Sequence, residues 1–148
     1  MTLIKGGQII DDPWSYLSDG DALKASHNII DLSFWNENKR SLSGSCSPLG
    51  LMIPGDQDLA ELANDLTCFS LIAIHIPTFV DGRAYSLAKL LRERYFYRGE
   101  VRAVGDVLPD QAHYLTRVGF DALELTDHPS ASLALKKLAE LSVCYQHD

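Results

Sequence analysis

From residue 28 onward, the chain alternates between short apolar runs and longer stretches in which apolar and polar positions recur with a helical period. Apolar runs of about four to eight residues are typical of buried strands. The predicted strands are Ile29–Leu32, Leu49–Ile53, Leu71–Ile76, Val101–Val104 and Ala122–Leu125. Because strands that alternate with helices usually pair in parallel, we expect an α/β fold with a mainly parallel sheet of about five strands and flanking helices.

Four of the remaining stretches carry an apolar face and are predicted to be helices. They cover Asp58–Leu66, Arg83–Tyr97, Pro109–Val118 and a final segment that begins near Pro129 and keeps its apolar stripe as far as Leu141. Asp56 is the expected N-cap of the first helix. Gly119, which readily adopts a left-handed conformation, is expected to end the third. Residues 143–145 are compatible with a last strand or with the end of the final helix.

The N-terminal part of the chain predicts a β-hairpin followed by an irregular segment. Gly6-Gly7 lies between two short apolar runs, and this dipeptide readily adopts the positive φ of a two-residue hairpin turn. Residues 11–26 show no sustained period, so we expect a loop or short helical turn there, with Trp14 and Tyr16 over an edge of the core. The serine-rich segment 41–47 is likewise typical of a flexible loop.

Two architectures are compatible with helices on a parallel sheet, namely an open doubly wound sheet and part of a barrel. Periodicity does not distinguish them, and we favour the open, flavodoxin-like sheet. The length of 148 residues and the ordinary hydrophobic fraction of 46% predict a single domain with one core over residues 1–148.

The charge and hydropathy of the chain exclude several classes of partner. A formal net charge of −7 argues against nucleic acid, because phosphate backbones bind clusters of Lys and Arg. No apolar run approaches the ~20 residues that span a membrane, and the first residues lack the apolar core of a secretion signal. We therefore expect a cytoplasmic protein that binds neither nucleic acid nor membrane, with its oligomeric state left open.

The chain has three widely spaced cysteines, Cys46, Cys68 and Cys144. Their odd number and spacing fit neither a disulfide framework nor a paired CxxC metal site. Iron–sulfur clusters usually take four cysteine ligands, so these residues cannot hold such a cluster by themselves. The sequence therefore indicates no metal site and no cofactor.

Three blocks of sequence are long and distinctive. They are Asp81–Tyr95, the block Gly99–Leu108 with Asp110-Gln111 after it, and Gly119–Ala122. These blocks resemble a bacterial family known as domain of unknown function 934, and the likeness extends more loosely to both ends of the chain. The chain departs from the family pattern at Ala84, where Gly is usual, and at Pro109, where Arg is usual. The second departure removes one anion contact from the start of a helix.

The resemblance implies a role as an accessory protein of assimilatory sulfite reduction, with the sulfite reductase haemoprotein or its electron donor as partner. Members of the family are commonly labelled oxidoreductases of this pathway because their genes lie beside those of sulfite reductase. That label is an association, so it leaves open whether the chain is an enzyme.

Polar residues follow two of the predicted strands, at the edge where parallel α/β sheets bind ligands. They are Asp81, Gly82 and Arg83 after one strand, and Gly105, Asp106, Asp110 and Gln111 after the other. Arg83 and the amides of two helix starts could hold a small anion such as sulfite, with Asp81 or Asp106 as acid or base. Equally, Asp81 could cap a helix, Gly82 permit a turn and Arg83 pair with Asp106, with no ligand involved.

Two further features have both a structural and a functional interpretation. His75 lies late in an apolar strand, and we interpret it as a core histidine in preference to an acid, base or metal ligand. The basic residues Lys89, Arg92, Arg94 and Arg98, with Arg102 beyond them, form a candidate docking patch for an acidic protein. A solvated helix face with nearby glutamates as partners explains them slightly better.

Three functions are therefore compatible with the sequence. The first is the accessory protein described above, which needs no cofactor of its own. The second is an enzyme that acts on a small anion at the edge formed by Arg83 and Asp106. The third, with less support, is a flavin-binding redox module on a flavodoxin-like sheet.

Overall fold

The structure is a computed structural model that describes residues 1–17, 23–43, 48–78 and 82–146. Its strands are β1 (Thr2–Lys5), β2 (Gln8–Ile10), β3 (Ser15–Tyr16), β4 (Asn28–Asp31), β5 (Leu49–Pro54), β6 (Leu71–Ile76), β7 (Glu100–Gly105) and β8 (Ala122–Leu125). Its helices are α1 (Leu32–Ser43), α2 (Arg83–Glu93), α3 (Ala112–Val118) and α4 (His128–Gln146). Short 3₁₀ turns lie at Leu59–Glu61, Leu66–Cys68 and Pro109–Gln111. Residues 143–145 are thus helical.

All eight strands belong to one sheet, in the order β2-β1-β8-β7-β6-β5-β4-β3. Strands β3 to β8 are parallel to one another, while β1 is antiparallel to both β2 and β8. Because each parallel strand lies beside the next one in the chain, all the crossovers turn in the same direction and their helices cover one face. The sheet curls into half a barrel.

The α/β fold and the N-terminal hairpin are confirmed, but the expectation of about five strands in an open, flavodoxin-like sheet is wrong. The hairpin joins the main sheet, since Ile4 of β1 pairs with Leu123 of β8. Strand β3 adds two residues within the segment predicted to be irregular. A doubly wound sheet reverses its strand order part of the way across, whereas the sequential order found here is that of a barrel.

The helix predicted over residues 58–66 is replaced by two 3₁₀ turns. Leu59 and Leu62 are buried, as the apolar pattern predicts. However, Leu62 N–H donates to the Leu59 carbonyl at 3.0 Å, and Asp65 N–H to the Leu62 carbonyl at 2.8 Å, which is the spacing of a 3₁₀ turn. The carboxylate of Asp65 accepts from Trp35 Nε1 at 3.1 Å and pairs with Lys39 at 2.9 Å, so it ties this segment to α1.

Helix α1 lies where the sequence predicts the end of a strand and the start of a loop. Asp31 Oδ1 accepts the Phe34 N–H at 2.8 Å and caps the helix. Trp35 is fully buried and meets Phe69 edge to face, with the ring centroids 4.8 Å apart. The apolar residues of α1 lie near its ends, and residues 36–41 between them are all polar, which is why periodicity missed the helix. Residues 44–47 of the predicted loop, including Cys46, lie outside the described residues.

Both faces of the sheet are covered. Towards the helices, Leu51, Ile74 and Ala103 are fully buried in a core to which all four helices contribute. On the opposite face, a smaller cluster of strand residues packs against Trp14 and Tyr16. The segment around these two aromatic residues therefore covers the face that the helices leave open. The sequence predicted that they lie over an edge of the core, and this second face is where they pack.

A buried arginine lies beneath this covering segment. Arg102 of β7 is 1% exposed and donates to both carboxylate oxygens of Asp12, at 2.8 and 3.1 Å. It also donates to Glu100 at 3.2 Å, while Tyr16 Oη donates to Glu124 beside it. Burial lowers the pKa of Arg102, but its interactions with Asp12 and Tyr16 together outweigh burial and raise the pKa above its ordinary value. Arg102 therefore stays charged and fixes the covering segment to the sheet.

We predict that Arg102→Met lowers the free energy of unfolding by about 3–5 kcal/mol, because it leaves the buried Glu124 without its cation and removes the bonds that hold Asp12. Chemical denaturation followed by circular dichroism measures the change. The matched control is Lys137→Met, since Lys137 pairs with Asp110 at 3.9 Å in an exposed ion pair and its loss should cost less than about 0.5 kcal/mol. Equal effects of the two substitutions would contradict the role given to Arg102.

Candidate functional site

The carboxyl ends of the parallel strands form one edge of the sheet, and the predicted ligand-site residues that are described lie there. Ile76 at the end of β6 pairs with Gly105 at the end of β7. Asp106 N–H donates to the Ile76 carbonyl at 2.8 Å. The structure thus brings the segment that leads into Arg83 and the segment that contains Asp106 to the same edge. Asp81 lies outside the described residues.

The charged side chains at this edge are exposed. Arg83 Nη1 lies 3.6 Å from Asp56 Oδ2, and 64% and 58% of the two side chains are exposed. Gly82 is the N-cap residue of α2, and because glycine has no side chain, no side-chain hydrogen bond caps this helix. Asp110 and Gln111 lie in the 3₁₀ turn that precedes α3. Exposed ion pairs of this kind are weak, and the binding of a small anion here stays a prediction.

Gly105 brings the backbone close to His75 at the same edge. Its φ is +94°, and a Cβ at this position would lie 2.4 Å from the Ile76 carbonyl oxygen and 3.1 Å from the His75 ring. His75 is exposed on the face away from the helices, so its interpretation as a core histidine is wrong. The imidazole is thus accessible beside a backbone position that only glycine fits well.

Two clefts lie at the opposite edge, where the parallel strands begin. The larger encloses about 790 Å³ between the β1–β2 turn and the segments that lead into β7 and β8. The smaller encloses about 380 Å³ and has mainly apolar walls, formed by Ala63, Leu66, Phe69, Tyr95, Phe96 and Tyr97. Arg98 and Gly99 line both clefts, so the two adjoin along the connection between α2 and β7.

Arg92 organises this connection. Its guanidinium donates to the backbone carbonyls of Tyr97 at 2.7 Å and Gly99 at 2.9 Å, and to that of Gly119 at 3.1 Å. It also pairs with Asp121 before β8. Arg92 is therefore engaged within the fold, and 23% of its side chain is exposed. It shapes the surface that the sequence predicted as a docking patch and contributes little of its own charge to that surface.

Phe96 is a residue that the sequence analysis missed. Its side chain is 74% exposed, and its φ of +54° lies in the left-handed region, which an aromatic residue rarely adopts. The neighbouring Tyr97 holds it there, because Tyr97 N–H donates to the Leu91 carbonyl at 2.8 Å and Tyr97 Oη to the Phe69 carbonyl at 2.9 Å. Burial raises the pKa of Tyr97, so this hydroxyl keeps its proton. The fold thus presents a phenyl ring to solvent.

Three of the predicted patch residues are exposed in α2 and in the connection that contains Phe96, namely Lys89, Arg94 and Arg98. None of the ion pairs found among the described residues involves them. Arg102, in contrast, is buried on the other face of the sheet. The sequence does contain a signal for this surface, namely three aromatic residues between two arginines, Arg94-Tyr95-Phe96-Tyr97-Arg98. The prediction assigned this segment to the end of a helix. The docking patch, redefined by Lys89, Arg94, Phe96 and Arg98, is called the basic aromatic surface below.

The described parts of the chain contain neither a metal-binding cluster nor a membrane-spanning helix. There, no group of three or more His, Cys, Asp or Glu side chains is arranged to hold a metal ion. No described helix combines the length and the apolar character that crossing a membrane requires. Cys68 is an exposed free thiol.

Comparison with known proteins gives one match. A family described as a bacterial protein of unknown function, DUF934, matches residues 50–148. The match begins in β5, so it includes the segments around Arg83, Asp106 and Phe96 but leaves out the β1–β2 turn that lines the larger cleft. No curated protein and no solved structure matches the chain.

Substitution of Gly105 is expected to destabilise the fold. We predict that Gly105→Ala lowers the free energy of unfolding by at least about 2 kcal/mol, because it combines a left-handed backbone with a close contact to Ile76. In the control Gly82→Ala, φ is −76° and no atom lies within 4 Å of the added Cβ, so we expect a change below about 1 kcal/mol. Thermal denaturation measures both, and a neutral Gly105→Ala would contradict the geometry at this edge.

Substitution of Phe96 is expected to act in the opposite direction. We predict that Phe96→Asn raises the free energy of unfolding by about 0.5–1 kcal/mol, because asparagine adopts left-handed φ more readily and the exposed ring loses few contacts. Leu90→Asn is the control: Leu90 is an exposed apolar residue within α2, and asparagine there should cost about 0.5 kcal/mol. A lower free energy of unfolding in Phe96→Asn would mean that contacts of the phenyl ring stabilise the fold.

Proposed function

Because the chain belongs to the bacterial protein family of unknown function DUF934, we propose that it is an accessory protein of assimilatory sulfite reduction that binds another protein of this pathway. Its partner would be the sulfite reductase haemoprotein or its electron donor, and the proposal puts the chain in the cytoplasm. The observation that carries a binding role is the exposed Phe96, held in a left-handed conformation between Arg94 and Arg98.

The composition of the basic aromatic surface supports protein binding. Aromatic residues and arginines are enriched at protein interfaces and supply most of the residues whose loss strongly weakens binding. A strained exposed residue persists only where the surrounding structure fixes it, as Arg92 and Tyr97 do for Phe96. The conformation of Phe96 therefore supports a role outside the fold.

The charge of this surface supports an acidic partner. The chain as a whole carries a net charge of −7, yet Lys89, Arg94 and Arg98 are exposed within ten residues of one another, in α2 and the connection that follows it. A local basic surface on an acidic protein orients a partner of opposite charge and speeds their encounter. The rest of the molecule would repel the same partner, which favours one docking orientation.

The second candidate function is an enzyme for a small anion at the carboxyl edge. It is favoured by the exposed positions of Arg83 and His75 at the edge that also contains Asp106. The flavin alternative gains no support from the topology, because flavodoxin-like sheets bind flavin where the strand order reverses and the order of these strands is sequential.

Growth on defined sulfur sources tests the proposed function. Deletion of the gene should slow growth on sulfate and leave growth on cysteine unchanged, and the wild-type gene should restore growth. The double variant Arg94→Glu/Arg98→Glu should fail to restore it, because charge reversal repels an acidic partner. Arg40→Glu, at an exposed position on α1, is the matched control and should restore growth.

Binding to the purified sulfite reductase haemoprotein, or to its electron donor, gives the direct measurement. Isothermal titration should detect a complex that the double charge reversal weakens at least about tenfold and that rising salt also weakens. Unchanged growth of the deletion strain on sulfate would contradict the pathway. Full complementation by the double variant would contradict the role of the basic aromatic surface.

A further inference from the structure

The two adjoining clefts form one groove that no part of the proposed function yet accounts for. Arg98 and Gly99 lie at the junction, with the smaller apolar cleft on one side and the larger cleft on the other. The volumes of about 380 and 790 Å³ fall within the range of about 300–1,000 Å³ that is typical of ligand pockets. A ligand that follows this groove must pass directly over Arg98.

The larger cleft offers little uncompensated charge of its own. Its carboxylates are already engaged, since Glu100 pairs with Lys5 and Arg102, and Asp121 pairs with Arg92. Its other walls include the apolar side chains Ile4, Phe120, Leu123 and Leu138. Arg98 forms none of the ion pairs among the described residues, so its guanidinium is the charge that the groove presents to a ligand.

The smaller cleft is suited to an apolar side chain. Five of its lining residues, Leu66, Phe69, Tyr95, Phe96 and Tyr97, carry large apolar surfaces, and the hydroxyl of Tyr97 is already bonded to the Phe69 carbonyl. The exposed ring of Phe96 stands at the wall of this cleft, where an incoming aromatic or aliphatic group would bury it. Burial of both apolar surfaces would stabilise the complex.

We propose that this groove binds an extended acidic segment of a partner protein, with a bulky apolar side chain in the smaller cleft beside Phe96 and a carboxylate on Arg98. Charge complementarity selects the occupant, because Arg98 lines both clefts, and the exposed Arg94 and Lys89 of the preceding segment add positive charge that would attract further carboxylates. The inference rests on the proposed function, because it specifies how the basic aromatic surface recognises the partner protein.

Fluorescence anisotropy with short labelled peptides tests the groove independently of any pathway. The probe has aspartates on both sides of a single phenylalanine. One matched peptide has serine in place of the phenylalanine, and another has asparagines in place of the aspartates. The full chain should bind the probe at least about tenfold more tightly than either matched peptide, and rising salt should weaken binding of the probe.

Variants of the chain assign the two contacts separately. Arg98→Gln should weaken binding of the acidic aromatic peptide by about tenfold and should reduce the preference for it over the asparagine peptide. Phe96→Asn should weaken binding by about tenfold or more and remove the preference over the serine peptide. Because Phe96→Asn is expected to preserve the fold, lost binding cannot be attributed to unfolding. Arg40→Gln, which lines neither cleft, should bind like the wild type.

Three outcomes would overturn the inference. They are equal affinity for the probe and its asparagine counterpart, unchanged affinity in Arg98→Gln, and a dimer of the chain that Arg98→Gln dissociates. The last outcome, measured by sedimentation, would mean that a second copy occupies the groove. Peptide binding with normal growth of the deletion strain would retain the groove and reject the pathway. A growth defect on sulfate without peptide binding would retain the pathway and reject the groove.

Discussion

The hydrogen bonds of the Arg92 guanidinium are the constraint on which the basic aromatic surface depends. One side chain of α2 holds the carbonyls of Tyr97 and Gly99, and it also reaches Gly119 and Asp121 before β8. These contacts fix the connection between α2 and β7 in a shape that leaves Phe96 left-handed and exposed. Arg92, which the sequence predicted as part of a docking patch, is thus the residue that shapes the patch.

The repeated βα pattern predicted much of the fold because its physical cause is local. Strands buried on both faces must be apolar throughout, and the bounds of β6 were predicted without error for this reason. Strand order is different, since it depends on how neighbouring units pack. Periodicity therefore could not separate a half-barrel from an open sheet. Helix α1 was missed because the polar residues 36–41 interrupt its apolar positions, and β3 because it has only two residues.

The two candidate edges differ in how far the sequence could reveal them. Parallel strands end at a common edge, so the segments around Arg83 and Asp106 were expected to meet if their two strands were neighbours, and β6 does pair with β7. The basic aromatic surface depends on tertiary contacts. An aromatic segment such as Tyr95–Tyr97 ordinarily belongs to a core, and only the bonds made by Arg92 and Tyr97 turn Phe96 outward. The run of aromatic residues between two arginines marks the segment, but it does not specify which ring faces solvent.

The location of the partner's binding site can be tested most directly by NMR spectroscopy. The ¹⁵N-labelled chain is mixed with the purified sulfite reductase haemoprotein or with its electron donor. Selective broadening of the amide signals of residues 94–99, with those of Gly82, Gly105 and Asp106 unchanged, is the result that the account predicts. Broadening confined to the carboxyl edge, with the signals of Phe96 and Arg98 unaffected, would contradict it.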